Sequence, residues 1–197
     1  MPHVIRELIR GQAVQRAGAP AILAPGYGIL AWGDFDSAVG RIGAALASLG
    51  LTKPARIALV CSNGPESAVA FLGLAAHVAC APLNPAYPAG ELEFFLSDLR
   101  PQAVVVQAGL HSAVRQVTAT LGIPLLELRQ RASGLAGDVE LLPPDEWDQA
   151  ISPANELPHP ADVALLLHTS GTTSRPKLVP GCRDFRRDAG YRAGRPT

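Results

Sequence analysis

What most constrains the fold is a rhythm of short apolar runs separated by helical patterns between residues 56 and 128. Residues 57–61 form a continuous apolar run, the pattern of a strand covered on both faces. Ser62-Asn63-Gly64-Pro65 then turns the chain, with Pro65 suited to the first position of a helix. That helix, about 65–78, is apolar nearly all round through Val69, Phe71, Leu72, Leu74 and Val78, so burial is expected. His77 within it reads as a satisfied core or boundary histidine rather than a ligand. Residues 79–83 make the next strand, stopped by Asn84-Pro85. Glu91 and Glu93 suit the first turn of a helix in which Leu92, Phe95, Leu96 and Leu99 form one stripe. A third strand over 103–106, a helix over 111–120 and a fourth strand over 123–128 follow. The alternation predicts an α/β fold, a mainly parallel sheet with right-handed crossovers, flanked by helices.

The flanks are read in the same way. Val4, Ile5, Leu8 and Ile9 share a helical face, which predicts an amphipathic helix over 3–17 ending near Gly18. Residues 21–24 and 28–32 border the turn-rich Pro25-Gly26-Tyr27-Gly28, the signature of a hairpin. Asp34 is a candidate N-cap for a helix whose Phe35, Val39, Ile42, Leu46 and Leu49 step by fours and threes to Gly50. Residues 129–161 break the rhythm with five prolines and an acidic cluster of Asp138, Glu140, Asp145, Glu146 and Asp148. That cluster reads as a solvated face, and Leu141-Leu142 as a short strand.

The chemistry-bearing stretch is residues 164–180, ALLLHTSGTTSRPKLVP. Residues 163–167 read as a short buried strand. It empties into Thr169, Ser170, Gly171, Thr172, Thr173 and Ser174, then Arg175-Pro176-Lys177 and a second apolar stretch, Leu178-Val179-Pro180. This order suits a polyphosphate. Gly171 permits close backbone approach, and successive N–H groups can form an anion nest. The five hydroxyls can donate to phosphate oxygens, while Lys177 brings a mobile positive charge. The Walker loop is excluded: Pro176 stands where that motif demands glycine, and Leu178 where it demands Ser or Thr.

HTSGTTSRPK resembles the phosphate-binding loop of the adenylate-forming superfamily, which holds acyl-CoA synthetases, peptide-synthetase adenylation domains and luciferases. Ser174 stands where that family usually has glycine. The serine variant with a preceding histidine is most similar to the acyl-CoA synthetase branch that includes oxalate–CoA ligases. GILAWGDFDSAVGRIGAALASLGL and RIALVCSNGPESAVAFLGLAAHVACAPLNPAYPAGELEFFLSDLRPQAVV are similar to the family's hairpin, first long helix and next segment, so the likeness covers about 4–180. It implies the N-terminal portion of the large domain of that superfamily, truncated, with domain limits of 1–180. The implied activity is that of an AMP-forming acid–CoA ligase. A carboxylic acid, ATP and coenzyme A are its substrates, with Mg²⁺ as cofactor. Thr169, Ser170, Gly171, Thr172, Thr173, Ser174 and Lys177 are implied to hold the β- and γ-phosphates, with Lys177 also stabilising the departing pyrophosphate. His168 is implied to shape the site or to pack beside it.

After Pro180 the composition changes. Residues 181–197 contain no Leu, Ile, Val or Met and hold five arginines against two aspartates, so a divergent, disordered tail is expected. In relatives the elements that bind adenine and ribose, anchor Mg²⁺, line the acyl pocket and supply the C-terminal catalytic lysine lie downstream of this loop. The expectation is therefore a fragment or a nucleotide-binding module that needs a partner, rather than a complete catalyst. A net charge of zero gives no footprint for nucleic acid, and no run approaches the length of a membrane span. Three scattered cysteines, Cys61, Cys80 and Cys182, lack metal-ligand spacing, so no protein metal site and a reducing, cytoplasmic compartment are expected.

Overall fold

The computed structural model describes residues 4–144, 147, 159–169 and 177–183. Helix α1 (Ile5–Arg16) leads into a two-stranded antiparallel hairpin, β1 (Pro20–Ile22) and β2 (Leu30–Ala31), and then α2 (Trp32–Ser48). The expected stripe of α1 is narrower than its sequence: Ile5 and Ile9 are buried, while Leu8 is exposed.

Helix α2 starts two residues before the expected Asp34 cap. The Trp32 and Gly33 N–H groups donate to the carbonyls of Ala19 and Ala17, so the preceding chain satisfies donors that a side-chain cap would otherwise take. Asp34 instead lies in the first turn, where a carboxylate favours the helix dipole. At the other end Gly50 adopts φ 71°. Its N–H reaches Ala47 O, and Leu51 N–H reaches Leu46 O at 2.9 Å, the paired bonds of a Schellman stop.

The core sheet has seven strands in the order β7-β6-β5-β3-β4-β8-β9. In chain order these are β3 (Arg56–Val60), β4 (Ala79–Leu83), β5 (Ala103–Gln107), β6 (Leu125–Gln130), β7 (Val139–Leu142), β8 (Val163–Thr169) and β9 (Lys177–Cys182). The five central strands are parallel, and β7 and β9 run antiparallel at the two edges. The crossovers α3 (Pro65–His77), α4 (Ala89–Leu99) and α5 (Val114–Leu121) divide between the faces. One face packs α1, α2 and α3 through Ile9, Phe35, Ile42, Val69 and Leu74; the other packs α4 and α5 through Leu92, Phe95, Leu96, Leu99 and Val117. With both faces covered, β3 and β5 read as continuous apolar runs because all their side chains are inside except Arg56 and Gln107 at the strand ends. This is the mainly parallel α/β sheet expected from the rhythm.

Three local expectations change. Helix α5 begins at Val114 rather than 111, because Ser112 Oγ donates to Pro85 O and accepts from Val114 N–H, which holds that segment as a turn. Asp138, expected on a solvated face, is only 8% exposed and bonds Arg41 and Ser133 while lying near Arg131. Strand β8 is not wholly buried: Val163 and Leu167 are 38% and 40% exposed, because beyond α3 that face of the β8–β9 hairpin has no covering helix among the described residues. Strand β9 runs past Pro180 to Cys182, and the next residue, Arg183, is buried.

Candidate functional site

Thr169 and Lys177, the described phosphate-loop candidates, sit at the carboxyl edge of the sheet, where open α/β sheets bind their ligands. Strand β8 runs parallel to β4 in the register Cys80↔Leu165, so Thr169 ends level with the Asn84-Pro85 turn that leaves β4. Asn84 Oδ1 accepts from Ala86 N–H at 2.9 Å and fixes that turn.

Thr169 pairs in register with Lys177 across the β8–β9 hairpin, and Thr169 Oγ1 makes a long 3.5 Å contact to Lys177 O. The first hydroxyl and the cation of the motif are thus neighbours, and both residues are exposed. Ser170, Gly171, Thr172, Thr173 and Ser174 lie outside the described residues, as do 184–197.

The residue before Thr169 is anchored. His168 Nε2 lies 3.0 Å from Asp98 Oδ2 on α4, and its side chain is 6% exposed. Its ring packs on Phe95, one turn earlier on α4, with centroids 4.7 Å apart and planes tilted by 53°. Phe95 in turn packs on Tyr87 at 5.1 Å. Leu178, the cross-strand partner of His168, joins the same apolar cluster. Sequence reading found His168 but not Asp98, since a pairing across 70 positions leaves no local signal.

The crevice between the carboxyl ends of β3 and β5, where crossovers depart to opposite faces, is bridged by one side chain. Gln107 Oε1 accepts from Ser62 N–H at 3.0 Å and from the Cys61 thiol at 3.4 Å. Burial pushes that thiol up to about 11. A cleft of about 690 Å³ opens at the opposite, amino edge of the sheet, between Lys53, Arg56, Asp162, Leu166 and Leu178. Lys53 Nζ lies 3.0 Å from Asp162 Oδ2 at the amino end of this cleft, and its lining continues along the β8–β9 hairpin to Leu178, next to Lys177.

No group of three or more His, Cys, Asp or Glu is assembled among the described residues. The Mg²⁺ implied by the resemblance therefore has no carboxylate set to hold it there. No helix among the described residues is long and apolar enough to cross a membrane.

Residues 9–181 match the AMP-binding enzyme family. The chain belongs to that family. Curated relatives of this AMP-binding chain include a probable CoA ligase of Humulus lupulus, 33% identical over 88% of the chain and 33% of the relative. They also include the oxalate–CoA ligase of Saccharomyces cerevisiae, 35% identical over 63% of the chain and 26% of the relative. The oxalate–CoA ligase branch named from HTSGTTSRPK is thus present among the relatives. The fold is that of MatB from Rhodopseudomonas palustris, solved in apo and ATP-bound forms, with TM-scores of 0.71 and 0.70. Both forms are 21% identical and cover 97% of this AMP-binding chain and 37% of MatB. The chain spans about a third or less of the length of the curated relatives it matches.

Proposed function

We propose that this chain carries the ATP-phosphate-binding loop of an AMP-forming acid–CoA ligase. In the reaction a carboxylate oxygen attacks the α-phosphorus of ATP, and the bond to the bridging oxygen breaks, releasing pyrophosphate and leaving an acyl-adenylate. The coenzyme A sulfur then attacks the acyl carbon and AMP departs. Thr169, Ser170, Gly171, Thr172, Thr173 and Ser174 donate to the β- and γ-phosphate oxygens, and Lys177 neutralises the charge that grows on pyrophosphate as it leaves.

The observation that carries this reading is the register pair Thr169↔Lys177 at the carboxyl edge of a parallel sheet. It supports a hydroxyl-lined loop whose two stems deliver a donor and a cation to one place. Calorimetry of ATP binding to the purified chain tests it. Lys177→Ala is expected to weaken binding by about 1.5–3 kcal/mol, the worth of a hydrogen bond to a charged group. Unchanged affinity removes Lys177 from the site.

A second reading is favoured by the apolar side chains left open on the hairpin: Val163, Leu167 and Val179 are 38%, 40% and 45% exposed. Such a face fits a nucleotide-binding half that turns over only with a partner supplying the rest of the site. Pyrophosphate release from ATP with a panel of carboxylic acids, oxalate and medium-chain fatty acids included, separates the two. Acid-dependent release by the chain alone supports adenylation without a partner, and ATP binding without release supports the half-site.

A further inference from the structure

We infer that Asp98 and His168 form a positioning pair through which helix α4 sets the place of the phosphate-binding end of the β8–β9 hairpin. The inference rests on the phosphate-loop reading above and names residues that reading does not use.

A carboxylate can only accept, so the 3.0 Å contact to Asp98 Oδ2 puts a proton on His168 Nε2. The opposite ring nitrogen, Nδ1, is buried with no hydrogen-bond partner among the described residues. An imidazole placed only for packing has no reason to occupy such a position, since burying a polar atom unpaired is unfavourable and a leucine or phenylalanine would fill the space without it. The ring is instead held in two independent ways from one helix. The Phe95 face at 4.7 Å limits its plane, and Asp98, three residues on, limits its rotation.

His168 is covalently joined to Thr169, so fixing its ring fixes the direction in which β8 ends. The cross-strand partner Leu178 is packed in the same cluster and is covalently joined to Lys177. Both stems of the motif are therefore anchored, one to α4 by a polar pin and one in the apolar cluster to which α4 contributes. Asp98 is 48% exposed, so the pin is reached from solvent without opening the core. His168 and Asp98 act through Thr169 and Lys177 and have no contact with phosphate themselves.

The test uses the purified chain with Asp98→Ala, Asp98→Asn, His168→Gln and His168→Leu, with ATP and inorganic pyrophosphate as probes. Asp98→Ala and His168→Leu are expected to weaken both probes on the order of tenfold, the low end of what losing a supporting partner costs a site. Asp98→Asn, which still accepts from Nε2–H, and His168→Gln, whose amide still donates to Asp98, are expected to retain most of the affinity. Nitrogen NMR of His168 without nucleotide is expected to show a protonated Nε2 that loses its hydrogen-bonded signature in Asp98→Ala. Because Asp98 is half exposed, its variants fold, and a urea midpoint shared with the parent separates positioning from stability.

Asp98→Ala binding both probes as the parent does overturns the inference and leaves the phosphate-loop reading intact. Loss of affinity in His168→Gln equal to that in His168→Leu overturns it as well, since shape rather than the pin would then matter. A parent chain that binds neither probe overturns the phosphate-loop reading, and the inference falls with it.

Discussion

Arg183 Nη1 donates to the carbonyl of Ala75, in the last turn of α3, at 2.7 Å across 108 positions of sequence. A cation there meets the negative end of the helix dipole. The guanidinium is nonetheless poorly served: the residue is 1% exposed, and Nε and Nη2 have no partner among the described residues. Burial lowers its pKa, with Asp162 opposing. Arg183→Ala removes the bond and leaves a void, so a loss of about 2–3 kcal/mol is expected in urea unfolding. Arg183→Met refills much of the space without a charge to desolvate and is expected to lose less. Equal losses in the two variants would assign the stabilisation to the charge.

Helices α2 and α3 meet through two glycines. A Cβ on Gly43 would lie 2.4 Å from His77 Cε1 and Nε2, and one on Gly73 would lie 2.4 Å from Ile42 Cδ1. Each helix thus sends a side chain into a gap on the other. Gly43→Ala is expected to cost roughly 1–3 kcal/mol through this overlap. In Gly43→Ala/His77→Ala the overlap is gone, so the double variant should be more stable than the summed single losses allow by about 1 kcal/mol. Additive losses in denaturant would mean that the helices separate rather than clash.

Those glycines show where sequence reading stops. Strand β4 falls on the residues predicted, 79–83, because Asn84-Pro85 ends it with local chemistry. The mainly parallel sheet and its two covered faces followed from apolar runs that had to be buried on both sides, whereas the strand order, set by contacts between distant segments, did not. The start of α2 was not legible, since its cap is supplied by the carbonyls of Ala17 and Ala19, and Asp138 was read as solvated because Arg41 is 97 positions away. In the site the sequence named Thr169 and Lys177 as candidates, but their pairing across the β8–β9 hairpin was not among its expectations. The Asp98–His168 contact was not foreseeable, because nothing in α4's stripe of leucines marks which surface acid will meet β8.

His77 makes stability depend on pH. Burial lowers its pKa below the ordinary value, and the Arg6 and Arg183 charges act in the same direction, although the bond to Val39 O at 3.3 Å opposes them. As pH falls through about 6.5 the unfolded chain takes this proton before the folded one does, so stability declines. The contribution is complete above that pH and lost progressively below it. Urea midpoints are expected to fall between pH 7 and 5 in the parent and to fall less in His77→Gln. A second acid loss belongs to Asp162. Burial raises its carboxyl, but the His159 N–H and the Lys53 ammonium outweigh that and hold it below its ordinary range. Its contribution is present above about pH 4 and lost only on further acidification.

The cysteines give a readout of whether the sheet stays closed. Cys61 is 7% exposed at the carboxyl end of β3, and burial together with the Glu66 charge raises its thiol to about 11 against the opposing bonds from Ser67 and Ser62. Cys80, inside β4, is fully buried and raised further by burial alone. The thiolate is the reactive form, so neither side chain combines access with ionisation near neutrality. Cys182, on the edge strand β9, is partly exposed. A disulfide reagent at pH 7.5 is therefore expected to modify Cys182 first, with Cys61 and Cys80 reacting only as urea unfolds the chain. The two slow thiols sit on adjacent central strands, so they should appear together at the unfolding midpoint. Early reaction of Cys61 alone would mean that the Gln107 bridge between β3 and β5 opens while the sheet remains folded.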